Sequence, residues 1–158
     1  MAHIETISHF LKRLVVIGVA LAASDALAHG DERPEKAYGK PGDRGKASRT
    51  VEIAMSDEMR FMPASITARK GETIRFVVNN SGKLKHEMVL GSIRELKEHA
   101  ALMLKSPEME HADANQISVD PGKTGELIWQ FTNAGTFDFA CLQPGHFEAG
   151  MRGKIAVK

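Results

Sequence analysis

The chain has 158 residues, of which 42% are hydrophobic and 26% charged, with a formal net charge of +1 and a single cysteine. A chain of this length supports one sizeable core rather than two. Near-neutral charge argues against a nucleic-acid-binding surface, and one cysteine excludes an internal disulfide.

At the N-terminus, Lys12 and Arg13 precede an apolar run at 14–23, and Ala26-Leu27-Ala28 supplies small residues for cleavage. This pattern predicts a secretory signal peptide over 1–28, cut after Ala28, and hence a periplasmic protein. The run is about half of the roughly 20 residues that a membrane-spanning helix needs, so no stable membrane anchor is expected. Residues 29–49 are polar, with Gly30, Pro34, Gly39, Pro41, Gly42 and Gly45 and no apolar periodicity. They read as a linker or loosely held arm.

From 50 to 158 the pattern is that of one domain of short strands. Val51, Ile53 and Met55 alternate with polar or small neighbours, and strands at 65–68 and 73–79 flank a Lys70-Gly71-Glu72 turn. Leu84, His86, Met88 and Leu90 share one face of a further strand. A helix is predicted over 92–104, with Ser92 and Glu95 as a capping box and Ile93, Leu96, Ala100, Met103 and Leu104 as its apolar stripe. Strands follow at 116–119, 125–131, 136–141 and 153–157, separated by Pro121-Gly122 and Asn133-Ala134-Gly135. The expected fold is all-β, a Greek-key β-sandwich with one short helix inserted.

The residues with distinctive chemistry lie between the last two strands. Cys141, His146 and Met151 are separated by four residues on each side of the histidine. A thiolate, an imidazole and a thioether together suit an ion that alternates between Cu(I) and Cu(II), because soft sulfur holds the reduced ion and nitrogen also satisfies the oxidised one. A second histidine is needed from upstream, and His86 in Leu-Lys-His-Glu-Met-Val-Leu is the best candidate. Taken alone, His86 would read as a core or surface histidine and Cys141 as a buried inert thiol; the loop spacing favours ligands. Phe137, Phe139 and Cys141 share a strand face, so both strand-borne ligands point inward. Pro144, Gly145 and Gly150 bend the loop that carries His146 and Met151.

This arrangement resembles the cupredoxins, the small blue copper proteins, over roughly residues 50–158. The equal gaps around His146 are similar to the rusticyanin arrangement, and Leu-Lys-His-Glu with the preceding Arg-Phe-Met-Pro is similar to bacterial periplasmic copper-tolerance cupredoxins. The resemblance implies one type 1 copper ion with His86, Cys141 and His146 as equatorial ligands and Met151 as a long, weak axial one. It also marks a departure, since Glu87 stands where many cupredoxins carry an asparagine that ties the two ligand loops together. Glu87 should point away from His86, so it reads as a solvated carboxylate, with support of the ligands as the alternative.

Other metal-binding side chains are candidates for accessory copper. Cleavage after Ala28 would give His29 a free amine beside its imidazole. Met59, Met62 and Met109 lack an obvious packing role, whereas Met55 and Met103 read as core. His99 and His111 have no equatorial role. An enzyme is not expected: Ala140 and Leu142 flank the cysteine where multicopper oxidases carry histidines, and protein ligands would fill the centre. The expected function is a monomeric periplasmic copper-binding protein of copper tolerance with one-electron chemistry. The alternative is a dedicated electron carrier between periplasmic or respiratory partners, docking through Leu142, Pro144, Phe147, Ala149 and Met151 around His146.

Overall fold

Alternating burial along the strands builds the sandwich. In the computed structural model, which describes residues 35–107 and 113–158, the order is β1 (Lys40–Pro41), β2 (Arg49–Ser56), β3 (Arg60–Met62), β4 (Ser65–Ala68), β5 (Thr73–Asn80), β6 (His86–Gly91), α1 (Ile93–Lys105), β7 (Gln116–Val119), β8 (Thr124–Gln130), β9 (Gly135–Ala140) and β10 (Arg152–Val157). One five-stranded sheet runs β1-β8-β5-β2-β3 and the other β4-β10-β9-β6-β7. Two pairings, β2 with β5 and β4 with β10, are parallel. The expected β-sandwich with one helix is what forms. The signal peptide, His29, Met109 and His111 lie outside the described residues.

Between the sheets, Ile53 and Met55 of β2, Phe76 and Val78 of β5, Met88 and Leu90 of β6 and Phe139 of β9 form the main core, which extends to Cys141 and Met151. Phe61 meets Phe139 edge-on, with ring centroids 5.0 Å apart. Such an edge-to-face contact adds to the area the rings bury.

β6 departs from simple alternation, because all six of its residues are buried. Its inner face meets the main core. Its outer face is covered by a second cluster, in which Val89 packs with Leu96, Ala100 and Met103 of α1 and with Ala140, Leu142 and Phe147. Leu84, expected on the strand's inner face, lies outside β6 and is exposed. The α1 capping box forms as predicted: Glu95 N donates to Ser92 Oγ at 3.3 Å, and Ser92 N donates to Glu95 Oε2 at 3.0 Å. The buried stripe is narrower than expected, since Ile93 and Leu104 are exposed.

The arm is also more ordered than its composition suggests. Tyr38 is buried and stacks on Trp129 at 5.6 Å, Trp129 Nε1 donates to Tyr38 O at 2.9 Å, and β1 pairs with β8. From Lys36 onward this stretch is therefore part of the sandwich, not a linker. One aromatic ring on an apolar indole outweighs the polar, glycine-rich surroundings that suggested a loose segment.

Candidate metal centre

Three neighbouring strands meet at one end of the sandwich. His86 opens β6, Cys141 follows β9 directly, and Met151 precedes β10. Because β9 pairs with both β6 and β10, with Ala140 opposite Val89 and Arg152, the two strands that frame the loop are hydrogen-bonded to one another beside His86. Cys141 N donates to Met151 O at 3.1 Å, closing the loop at its base, and Met151 N donates to His146 O at 3.0 Å. Gly150, at φ 94°, takes a left-handed conformation that a side chain would strain, and this turns the chain into β10. Arg60 Nη1 donates to Ala149 O at 3.0 Å and holds the loop from the opposite sheet.

The loop and β6 bring together three of the predicted ligands. The candidate donor atoms of His86, Cys141 and His146 lie within 4.8 Å of one another. Cys141 Sγ is 3.3 Å from His146 Nδ1 and 3.9 Å from His86 Nδ1, and the two Nδ1 atoms are 3.2 Å apart. His86, Cys141 and Met151 are fully buried, and His146 alone of these side chains reaches the surface. The donor set suits copper: two imidazole nitrogens and a thiol sulfur, with a buried thioether in the same cluster.

Burial sets the electrostatics. It pushes the Cys141 thiol up to about 12, against the lowering effect of the Glu87 and Gln143 backbone N–H groups. It holds the His146 imidazolium below the ordinary histidine range, helped by His86 and opposed by Asp57, so the ring is neutral with a lone pair at pH 7. Loading the pocket with a cation must therefore release the Cys141 thiol proton.

Glu87 corrects an expectation. Rather than being solvated, its side chain is buried and accepts hydrogen bonds from Leu142 N at 3.0 Å, Ser118 Oγ at 3.2 Å and Gln143 Nε2 at 3.3 Å. Its own backbone N donates to Cys141 Sγ at 3.4 Å. It does point away from His86, but β6's outer face is covered by α1 and the ligand loop, so that direction leads into protein. The result is a direct tie between β6 and the cysteine segment.

Sequence reasoning missed three further supports. Asp57, in the turn between β2 and β3, accepts from Lys83 N at 2.8 Å, Leu84 N at 3.2 Å and His86 Nε2 at 3.1 Å. Those bonds, that from Lys83 first, keep its carboxylate below the usual range. Asn80, fully buried, donates to Leu84 O and Val119 O and accepts from Gly82 N, shaping the approach to His86. Arg60 is the third. Asp57 and Arg60, and Asn80 through Val119, act across long sequence separations; only the turn-forming Asn80-Ser81-Gly82 run gave a local sign.

Met55 and Met103 are core residues, Met59 packs partly buried against the core, and Met62 is exposed on edge strand β3. His99 lines a cavity of about 700 Å³ with Tyr38, Glu95, Glu98 and Asp113. The proposed docking patch shrinks, because Leu142, Phe147 and Met151 are buried and only Pro144 and Ala149 of the five are exposed.

Residues 47–158 match the family described as copper binding proteins, plastocyanin/azurin family. The chain is 55% identical over 137 residues to the copper-resistant cuproprotein CopI of Rubrivivax gelatinosus, covering 87% of this chain and 81% of that protein. It is 37% identical over 176 residues to the copper-resistant cuproprotein CopI of Pseudomonas aeruginosa, covering 92% and 94%. Among solved structures, reduced auracyanin from Roseiflexus castenholzii superposes with a TM-score of 0.61 at 22% identity, covering 71% of this chain and 98% of that one, a likeness of fold.

Proposed function

The chain belongs to the plastocyanin/azurin family of copper-binding proteins, and from that premise we propose that it is an exported periplasmic cuproprotein of copper tolerance, holding one copper ion with His86, Cys141, His146 and Met151. The observation that carries this reading is the convergence of two imidazoles and the thiol within 4.8 Å at a buried loop base. Bound copper supplies one-electron chemistry between Cu(I) and Cu(II). Cys141 gives up its proton on loading, and the N–H of Glu87 stands ready to donate to the resulting thiolate. His146, the partly exposed member, is where an ion or an electron would enter. Burial of His86, Cys141 and Met151 leaves little access for a substrate, which supports a non-enzymatic role. The signal-like segment at 1–28 supports export. Two relatives named as copper-resistant cuproproteins support tolerance over general electron carriage.

The test is growth of a deletion strain across a copper series, complemented by the wild-type gene or by Cys141→Ser. Rescue by wild type alone is expected. Rescue by both would move tolerance away from this centre, towards His29 and the methionines. A respiratory defect without copper sensitivity would favour the carrier reading, for which the partly exposed His146 beside exposed Pro144, Gly145 and Ala149 offers a small docking face.

A further inference from the structure

The His86 ring has two nitrogens with different tasks. Nδ1 faces Cys141 and His146, while Nε2 lies 3.1 Å from Asp57 Oδ1. Hydrogen bonding to a carboxylate requires the proton on Nε2, and in the neutral ring that a metal ligand must adopt this leaves the Nδ1 lone pair turned towards the other ligands. Asp57 is itself fixed. Its Oδ1 also accepts from Leu84 N and its Oδ2 from Lys83 N, so the carboxylate bridges the β2–β3 turn and the segment leading into β6. That approach is tight: a Cβ at Gly82 would stand 2.1 Å from Asp57 Oδ1. The turn that presents Asp57 places Met59 at φ 57°, a conformation few side chains adopt. A close backbone approach that only glycine permits and one unusual backbone conformation therefore coincide at one carboxylate on one ligand's outer nitrogen.

We propose that Asp57 is the positioning residue of the copper centre, fixing His86 as an Nδ1 ligand and, through its charge, favouring Cu(II) over Cu(I). This rests on the copper reading above. A carboxylate on the far nitrogen orients a metal-bound imidazole and raises its basicity. The more highly charged ion gains more from both a more basic ligand and a nearby negative charge. A neutral acceptor in the same place would orient the ring without that bias.

The test uses the full chain with Asp57→Asn, which keeps a carbonyl acceptor for Nε2 and removes the charge. Cu(II) affinity should fall about 10- to 100-fold, and Cu(I) affinity about tenfold less. The reduction potential should then rise by about 59 mV, the equivalent of one decade for a one-electron couple. Equal weakening of both oxidation states, leaving the potential unmoved, would reduce Asp57 to a structural support and overturn the proposal. Should the variant not fold, the wild type still decides. With histidines labelled in 15N, the diamagnetic Cu(I) form should show His86 protonated on Nε2 with a slowly exchanging proton, and a freely exchanging or Nδ1-bound proton would sink it. Failure of the copper reading is separable, because wild-type protein would then bind no copper at this centre.

Discussion

Replacing Glu87 with alanine is the sharpest probe of how β6 and the ligand loop are held together. The change leaves the Leu142 N–H, in a residue 1% exposed, without its acceptor. An orphaned buried donor costs about 1–3 kcal/mol. The bonds from Ser118, which is exposed, and Gln143, which is partly exposed, can turn to water and add at most about 1 kcal/mol together. The expected loss in the metal-free protein is thus about 1–4 kcal/mol, or about 4–16 °C in Tm for a domain of this size. Trp129, the single tryptophan and 1% exposed, reports unfolding by fluorescence in urea or on heating. Glu87→Gln keeps an acceptor for Leu142 N and should lose no more than about 1 kcal/mol. In the copper-loaded form the alanine variant should broaden the visible bands, because Leu142 adjoins Cys141. An alanine variant within about 0.5 kcal/mol of wild type, or a glutamine variant equally damaged, would refute the account.

Cys141→Ser should abolish the intense visible charge-transfer absorption of the Cu(II) protein, and Met151→Leu should keep the colour while raising the reduction potential; retained colour in the serine variant would remove the thiolate assignment. Burial, with Glu95 and Asp113 adding and Asn115 opposing, pushes the Tyr38 hydroxyl up to about 12. The unfolded chain releases that proton from about pH 10, so this part of the stability is whole below pH 10 and falls as pH rises towards 12. Tyr38→Phe should lose about 1 kcal/mol at pH 8 with its Asn115 hydrogen bond, yet decline less than wild type between pH 10 and 11.5 in urea titrations. Gly153→Ala would place a Cβ 2.1 Å from Phe139 Cζ in the main core, and should cost about 1–3 kcal/mol in thermal melts through overpacking.

The strands were legible because a β-sandwich writes a period of two into its chain, as Ile53 and Met55 in β2 illustrate. The helix was legible because Ser92 and Glu95 interact three residues apart. Three candidate donors of the proposed site could be read for a similar reason: Cys141, His146 and Met151 sit on one short loop, where spacing is geometry.

Burial of both faces of β6 depends on α1 and the ligand loop lying over it, which no pattern within β6 records. That cover turned Glu87 from an expected solvated group into the tie between two segments, with partners 31 to 56 residues away. Asp57 reaches His86 across 29 positions, and Tyr38 reaches Trp129 across 91. The sequence by itself determined which side chains could bind a metal, because donor chemistry belongs to residue type. Only the tertiary structure decided how those donors are aimed and held, because distant polar partners become neighbours only after the sheets close and exclude water.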